Sequence, residues 1–347
     1  MNRVRFLAFL AAVLTAVSAC GCSGGKKNEY YSKSVSTEFG SLTVNLSYKT
    51  KSESGRKKAE DHSESELNEI FYQAVGAFER SAEFVSSNST SSLLGEINSP
   101  VNAVFDCDDA SLELLDGVCS LSEYTQGYFQ PVCGALSALY STNEHPTDDE
   151  VAAAVAHTGL EKIQVDSEAN TVKKTDREAT VDLYMMREGY ALDGLIEYLE
   201  STSVSYGFAV LDGIAGVFGT RPRERSFDIG VYSDEEKGVS GYVRIKSGFV
   251  AVASEDVCPL LLNMTTGRPA DSGLSRTVVT ADSGWKAQAL AQSFYAMSVD
   301  AAMKLYDDGK MNFEAAFIDM QGKITVTSKA MDALGETAFV TETSGEK

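Results

Sequence analysis

Few side chains in this sequence are spaced for the common kinds of catalysis. The histidines, His62, His145 and His157, lie far apart, so spacing signals neither a zinc site nor a histidine-activated nucleophile. Cys107, Cys119, Cys133 and Cys258 show no CxxC spacing, and sequence leaves their pairing open. The run from Gly213 to Gly219 reads GIAGVFG rather than GxGxxG, a weak case for a phosphate cradle. Glu188, at the start of a helical pattern, could serve as a general base or simply as a first-turn acid favoured by the helix dipole. Trp285, Tyr184 and Phe249 could stack on a planar ring, although aromatics more often pack cores.

Those residues must be positioned by a chain of 347 residues, 43% of them apolar, enough for a substantial core. Its first residues, MNRVRFLAFLAAVLTAVSAC, join Arg3 and Arg5 to an apolar run too short to cross a bilayer. That is the pattern of an export signal over residues 1–19. Val17-Ser18-Ala19-Cys20 has lipobox form, so Cys20 is the expected lipidation site and the protein is expected to be exported and lipid-anchored to the bacterial cell membrane. Cys22 is the poorer candidate, because Cys20 stands three residues before it. Residues 20–38 are expected to form a tether, with a single domain over 39–340. A net charge of −20 would repel polyanions, so nucleic acid is not an expected partner.

Ser41–Tyr48 alternates apolar and polar residues, as a half-buried strand does. Residues 49–66 are charged and read as a loop. Helical apolar faces follow at Leu67–Phe78, Leu112–Cys119 and Leu192–Leu199, and Thr147 with Glu150 forms a capping box before VAAAVAH. Strands are expected at Thr180–Leu183, Phe208–Leu211, Phe227–Tyr232, Tyr242–Ile245 and Phe249–Ala253. A helix should run from Trp285 to Met297, and a hairpin should turn at Gln321-Gly322-Lys323. Strands and helices without strict alternation indicate an α+β fold.

Six blocks, in order, resemble the FAD:protein FMN transferase (ApbE-type) family. They are Ser92-Leu93-Leu94-Gly95-Glu96-Ile97-Asn98, Gly127 to Leu136 (GYFQPVCGAL), Val181-Asp182-Leu183 with Gly189-Tyr190-Ala191-Leu192-Asp193, Asp212-Gly213 before Gly219, Thr266-Gly267-Arg268-Pro269, and Ala287 to Gln292 (AQALAQ). The resemblance covers roughly residues 39–330. It implies a T-fold-related, two-layer arrangement of mixed sheet and helices with the nucleotide in a cleft. It also implies transfer of the FMN half of FAD to a protein threonine with Mg²⁺ neutralising charge on the diphosphate.

The charged positions of that pattern are replaced. Where family members are expected to hold Mg²⁺ with an Asp and a Thr four residues apart, this chain has Gln288 and Gln292. The loop lysine is Glu188, and its two glycines are Tyr184 and Met185. The family's His is Leu260, its following Asp is Asn263, and Asp212 stands at a glycine. Asp182 and Asp193 keep the family's identity and would contact adenosine or ribose hydroxyls, although Asp182 could instead cap the helix of Glu188. Asp282 could replace a lost metal ligand. The reading is a catalytically silent surface module, with a membrane contact through its lipid and FAD or a flavoprotein as the conceivable partner. The alternatives are an active transferase with rewired Mg²⁺ ligands, Asp282 and Glu188, and a flavin- or nucleotide-binding solute lipoprotein.

Overall fold

The computed structural model describes residues 15–16, 30–51, 61–87, 89–99, 104–233, 238–258, 260–327 and 339–340. Cys20, Cys22 and most of the expected export signal lie outside the described residues, as do 52–60 of the charged loop.

Eight strands form the central sheet: β1 (Tyr30–Thr37), β2 (Gly40–Ser47), β3 (Tyr206–Leu211), β4 (Ile214–Gly219), β5 (Gly248–Ala253), β6 (Leu274–Ala281), β7 (Phe313–Asp319) and β8 (Ile324–Val326). They lie side by side in chain order, and every neighbouring pair is antiparallel. The α+β class holds, with antiparallel pairing where a mixed sheet was expected. β1 occupies the stretch expected to be a tether. As an edge strand with one face toward water, it carries only a faint apolar alternation, so its sequence resembles a linker.

The helices are α1 (Glu64–Phe84), α2 (Leu93–Ile97), α3 (Asp109–Tyr124), α4 (Gly134–Thr142), α5 (Asp148–Ala156), α6 (Arg187–Ser201), α7 (Gly284–Ala296) and α8 (Val299–Asp308). Ser63 with Glu66 and Thr147 with Glu150 close reciprocal capping boxes at α1 and α5. Helices α1 to α6 are inserted between β2 and β3, and α7 and α8 between β6 and β7.

Because both faces of the sheet are covered, its central strands are buried at nearly every position. Ala209, Leu211, Phe218, Ala251 and Val279 point into a large core shared with the helices. Their neighbours Phe208, Val210, Val217, Val250 and Val278 face a second cluster built with Phe227, Ile229, Val243 and Ile245. The latter come from a hairpin, Phe227–Ser233 and Gly238–Ile245, laid over the opposite face; Thr15–Ala16 pairs with its first strand. At the β3–β4 turn, Asp212-Gly213 makes a two-residue link, with Gly213 at φ +76°.

The expected strand Thr180–Leu183 is not a strand. Both backbone groups of Val181 are taken by the Asn98 side chain, which accepts from its N–H at 2.7 Å and donates to its carbonyl at 2.8 Å. The Asp182 N–H donates to the Pro131 carbonyl. With its hydrogen bonds satisfied in this way, the segment has no ladder to join and leads directly into α6.

Candidate functional site

The candidate site forms where α6 and α7 cross. Gly189 and Gly284 meet back to back: a Cβ on Gly189 would sit 2.3 Å from the Gly284 carbonyl oxygen, and one on Gly284 would sit 2.5 Å from that of Gly189. The close approach brings Gln288 of α7 against the first turn of α6. Its Oε1 accepts from the Gly189 N–H at 2.8 Å, and its Nε2 donates to the Glu188 carboxylate at 2.5 Å. Both ends of the amide are therefore engaged across the crossing. Burial raises the Glu188 pKa, opposed by the hydrogen bond from Gln288.

One turn further along α7, Gln292 is 5% exposed, and its buried Oε1 has no hydrogen-bond partner. The buried hydroxyl of Tyr184 is likewise unpartnered. Met185 is 2% exposed and packs in the helix-side core. Cys133 donates to the Asp182 carbonyl, and burial pushes its thiol up. Burial also pushes the Cys258 thiol up to about 12, with the Glu188 carboxylate adding to the shift. Cys107, Cys119, Cys133 and Cys258 are all unpaired.

Asp182 does not cap α6, whose N-terminus has no side-chain cap. It accepts from the Tyr184 N–H at 3.0 Å and from the Ser137 hydroxyl at 2.5 Å, tying the loop to α4. Ser137 was not singled out from sequence; only its place one turn into α4 could have suggested it. Asp193 caps a helix, but a distant one: its two oxygens accept from the N–H groups of Gly284 (2.6 Å) and Trp285 (3.0 Å) at the start of α7.

Burial outweighs those two bonds and lifts the Asp193 carboxyl to about 7 from a reference of 3.8. A raised folded-state value favours the protonated form in the fold. The associated stability is fully present below about pH 4 and is lost as pH rises through about 7, at no more than about 1.4 kcal/mol per unit. Glu188 and Asp212 shift in the same direction, each chiefly from burial. Thermal melts between pH 4 and 8 should therefore decline with pH, and Asp193→Asn should flatten that decline; a parallel slope in the variant would exclude Asp193 as its source.

The remaining sequence candidates serve the loops. Asn263 accepts through its side chain from the Thr265 N–H and hydroxyl, and through its carbonyl from the N–H groups of Thr266 and Gly267. It thereby shapes the turn between the paired segments Leu262–Asn263 and Arg268–Pro269. Leu260 is half-buried against the helix-side core. Asp212 sits in the β3–β4 turn beside Gly40. Asp282 is exposed and pairs with Lys286 at 3.3 Å, near the start of α7. The structure thus brings Glu188 and Gln288 together, leaves Gln292 a turn away, and gives Asp282 a different partner.

The ApbE family model matches residues 43–317, most of the chain. The chain belongs to the ApbE family. Solved structures agree on the fold. The ApbE protein of Thermotoga maritima superposes with a TM-score of 0.73 at 22% identity, covering 86% of this chain and 97% of that one. The flavinyl transferase ApbE of Pseudomonas stutzeri gives 0.69 at 17% identity over 88% and 97%. The flavin transferase ApbE of Vibrio cholerae gives 0.70 at 18% over 86% and 97%. No curated protein sequence matches.

The ApbE family uses FAD and depends on Mg²⁺. A hard dication needs several oxygens, preferably charged ones, free to converge. At the positions in question, Gln288 is committed to α6, and Gln292 offers one neutral oxygen. Among the described residues, no three His, Cys, Asp or Glu side chains group as a metal would require. Glu188 adds a carboxylate to this crossing that is already bonded to Gln288. The residues present do not fit Mg²⁺ and a flavin dinucleotide.

Proposed function

We propose that this chain is an exported, lipid-anchored ApbE-family protein that has given up flavin transfer and acts as a surface binding or scaffold module. The observation that carries the reading is the Gln288 bridge, an amide bonded at both ends to the Gly189 N–H and the Glu188 carboxylate. The side chain at the metal position has become a cross-link between two helices. Loss of one charge-stabilising group typically lowers rate by about 10²–10³, and several such groups are replaced together.

The test is incubation of the purified soluble domain with FAD, Mg²⁺ and a threonine-containing acceptor protein, followed by in-gel flavin fluorescence. No adduct is expected. A covalent FMN adduct would overturn the reading and restore the rewired transferase. In a parallel titration, FAD fluorescence should be unchanged by the domain, with or without Mg²⁺. Anchoring is tested separately: Cys20→Ser should release the protein from the membrane fraction, and unchanged membrane retention would exclude Cys20 as the anchor.

A further inference from the structure

The segment that leads through Asp182 and Tyr184 into α6 is fastened near its start by a histidine. His157 follows the last residue of α5, and each of its ring nitrogens faces a carboxylate of the turn after the strand Thr171–Lys174. Nδ1 lies 2.8 Å from Oδ2 of Asp176, and Nε2 lies 3.1 Å from Oε2 of Glu178. Ionised carboxylates only accept hydrogen bonds, and a neutral imidazole has a single N–H. Either neutral tautomer therefore turns a lone pair toward one of the two anions, whereas the imidazolium suits both. The other oxygen of Asp176 accepts from the Glu178 N–H at 2.9 Å, and the Asp176 carbonyl accepts from the Ala179 N–H at 3.3 Å. Both carboxylates are thus presented on one tight turn.

The chain on either side of that turn is held by bonds that do not titrate. Thr175 donates its N–H to the Lys162 carbonyl and its hydroxyl to the Glu161 carbonyl, and the Thr180 carbonyl accepts from the Gly134 N–H. α5 also seats a second loop, because Val151 and Val155 occupy the space where a Cβ on Gly267 would fall. His157 stands between the segment of Asp182 and the turn of Gly267. The other charges near the contact are Glu161, Lys162, Lys174 and Arg177. Lys162 pairs with Glu161 at 3.5 Å. The Asp176 carboxyl is held below its usual value chiefly by the His157 bond, then by the Glu178 N–H, with Lys162 adding less. Lys174 is buried, its amine has no partner, and burial lowers its pKa. Arg177 is exposed. Histidine is the side chain whose ordinary titration falls between pH 5 and 8.

We propose that His157 is a pH-operated latch: as the imidazolium it pins the turn 176–179 to the end of α5, and on losing its proton it releases Glu178 and loosens that turn. The charged form belongs to the closed contact, so the latch is closed at low pH and opens as pH rises. Its action is independent of the function proposed above, because no flavin, metal or acceptor takes part.

Hydrogen–deuterium exchange on the whole protein, read by mass spectrometry at peptides spanning 175–180 and corrected for the chemical exchange rate, tests the latch. Opening of the turn should rise about threefold from pH 5 to pH 8, the scale of a part-exposed ion pair. Glu178→Gln is the diagnostic variant, at a position exposed enough to leave the fold intact. Its amide can donate to an unprotonated nitrogen or accept from a protonated one, so the turn should stay closed throughout. His157→Ala should be as open at pH 5 as the wild type is at pH 8. A flat wild-type profile would overturn the latch. So would an undiminished rise in Glu178→Gln, which would place the titrating group elsewhere, or full protection of His157→Ala at pH 5. Unchanged exchange in the remaining peptides confirms that each variant is folded.

Discussion

Gln288→Asp, the substitution that returns the family's residue to its position, is expected to destabilise the protein without conferring flavin transfer. The shorter carboxylate cannot keep the acceptor role toward the Gly189 N–H and also donate to Glu188. It would face a second carboxylate whose pKa burial already raises, so one of the two must retain a proton. A lost donor and a like-charge pair in a desolvated crossing should cost about 2–3 kcal/mol, a fall of roughly 5–10 °C in Tm. Adding Glu188→Lys should recover much of that loss through an Asp–Lys pair, giving a favourable coupling energy in the double-mutant cycle. Denaturant unfolding of the four proteins measures it. Additive effects would mean that Glu188 and Gln288 are not coupled, and the cross-link account of the site would fall with them.

Gly189→Ala is expected to be more damaging than an alanine in a helix usually is. Helix propensity alone would favour the change by about 1 kcal/mol. The new Cβ, however, would lie 2.3 Å from one backbone atom of Gly284 and 2.5 Å from another. Backbone cannot step aside as a flexible side chain can, so α6 and α7 must separate. That movement lengthens the Gly189–Gln288 bond and pulls the α7 N-terminus from Asp193. A net loss of about 3 kcal/mol follows, read as a lower denaturation midpoint. Gly127→Ala is the contrast: a Cβ there has open space, and only its positive φ of 83° is strained. Equal effects of the two substitutions would show that the crossing tolerates separation.

How much of this was legible beforehand depended on whether the signal was local. The capping box at Thr147 and the apolar faces of α1, α3 and α6 are written within a few residues of where they act, and they formed as expected. The box at Ser63, by contrast, begins α1 at Glu64, inside the stretch 49–66 read as a loop because its charged residues show no apolar face. The family's motif order grouped Glu188, Gln288 and Gln292 in one site, of which the structure brings Glu188 and Gln288 together and leaves Gln292 a turn away. β1 was missed because an edge strand with one wet face needs little apolar alternation. Thr180–Leu183 was misread because its apolar pattern did not reveal that Asn98 would take its hydrogen bonds.

Sequence by itself determined the class of fold, the family and the replacement of its charged positions, because those depend on residue identity, order and short-range periodicity. Tertiary structure alone decided what the replacements do. Gln288 finds its partners about a hundred positions away, Asp193 caps a helix just over ninety positions away, and Gly189 is required by the backbone of Gly284. Each depends on the depth and angle at which α6 and α7 cross. That geometry is set by side-chain packing over the whole sheet face, which no local stretch of sequence encodes.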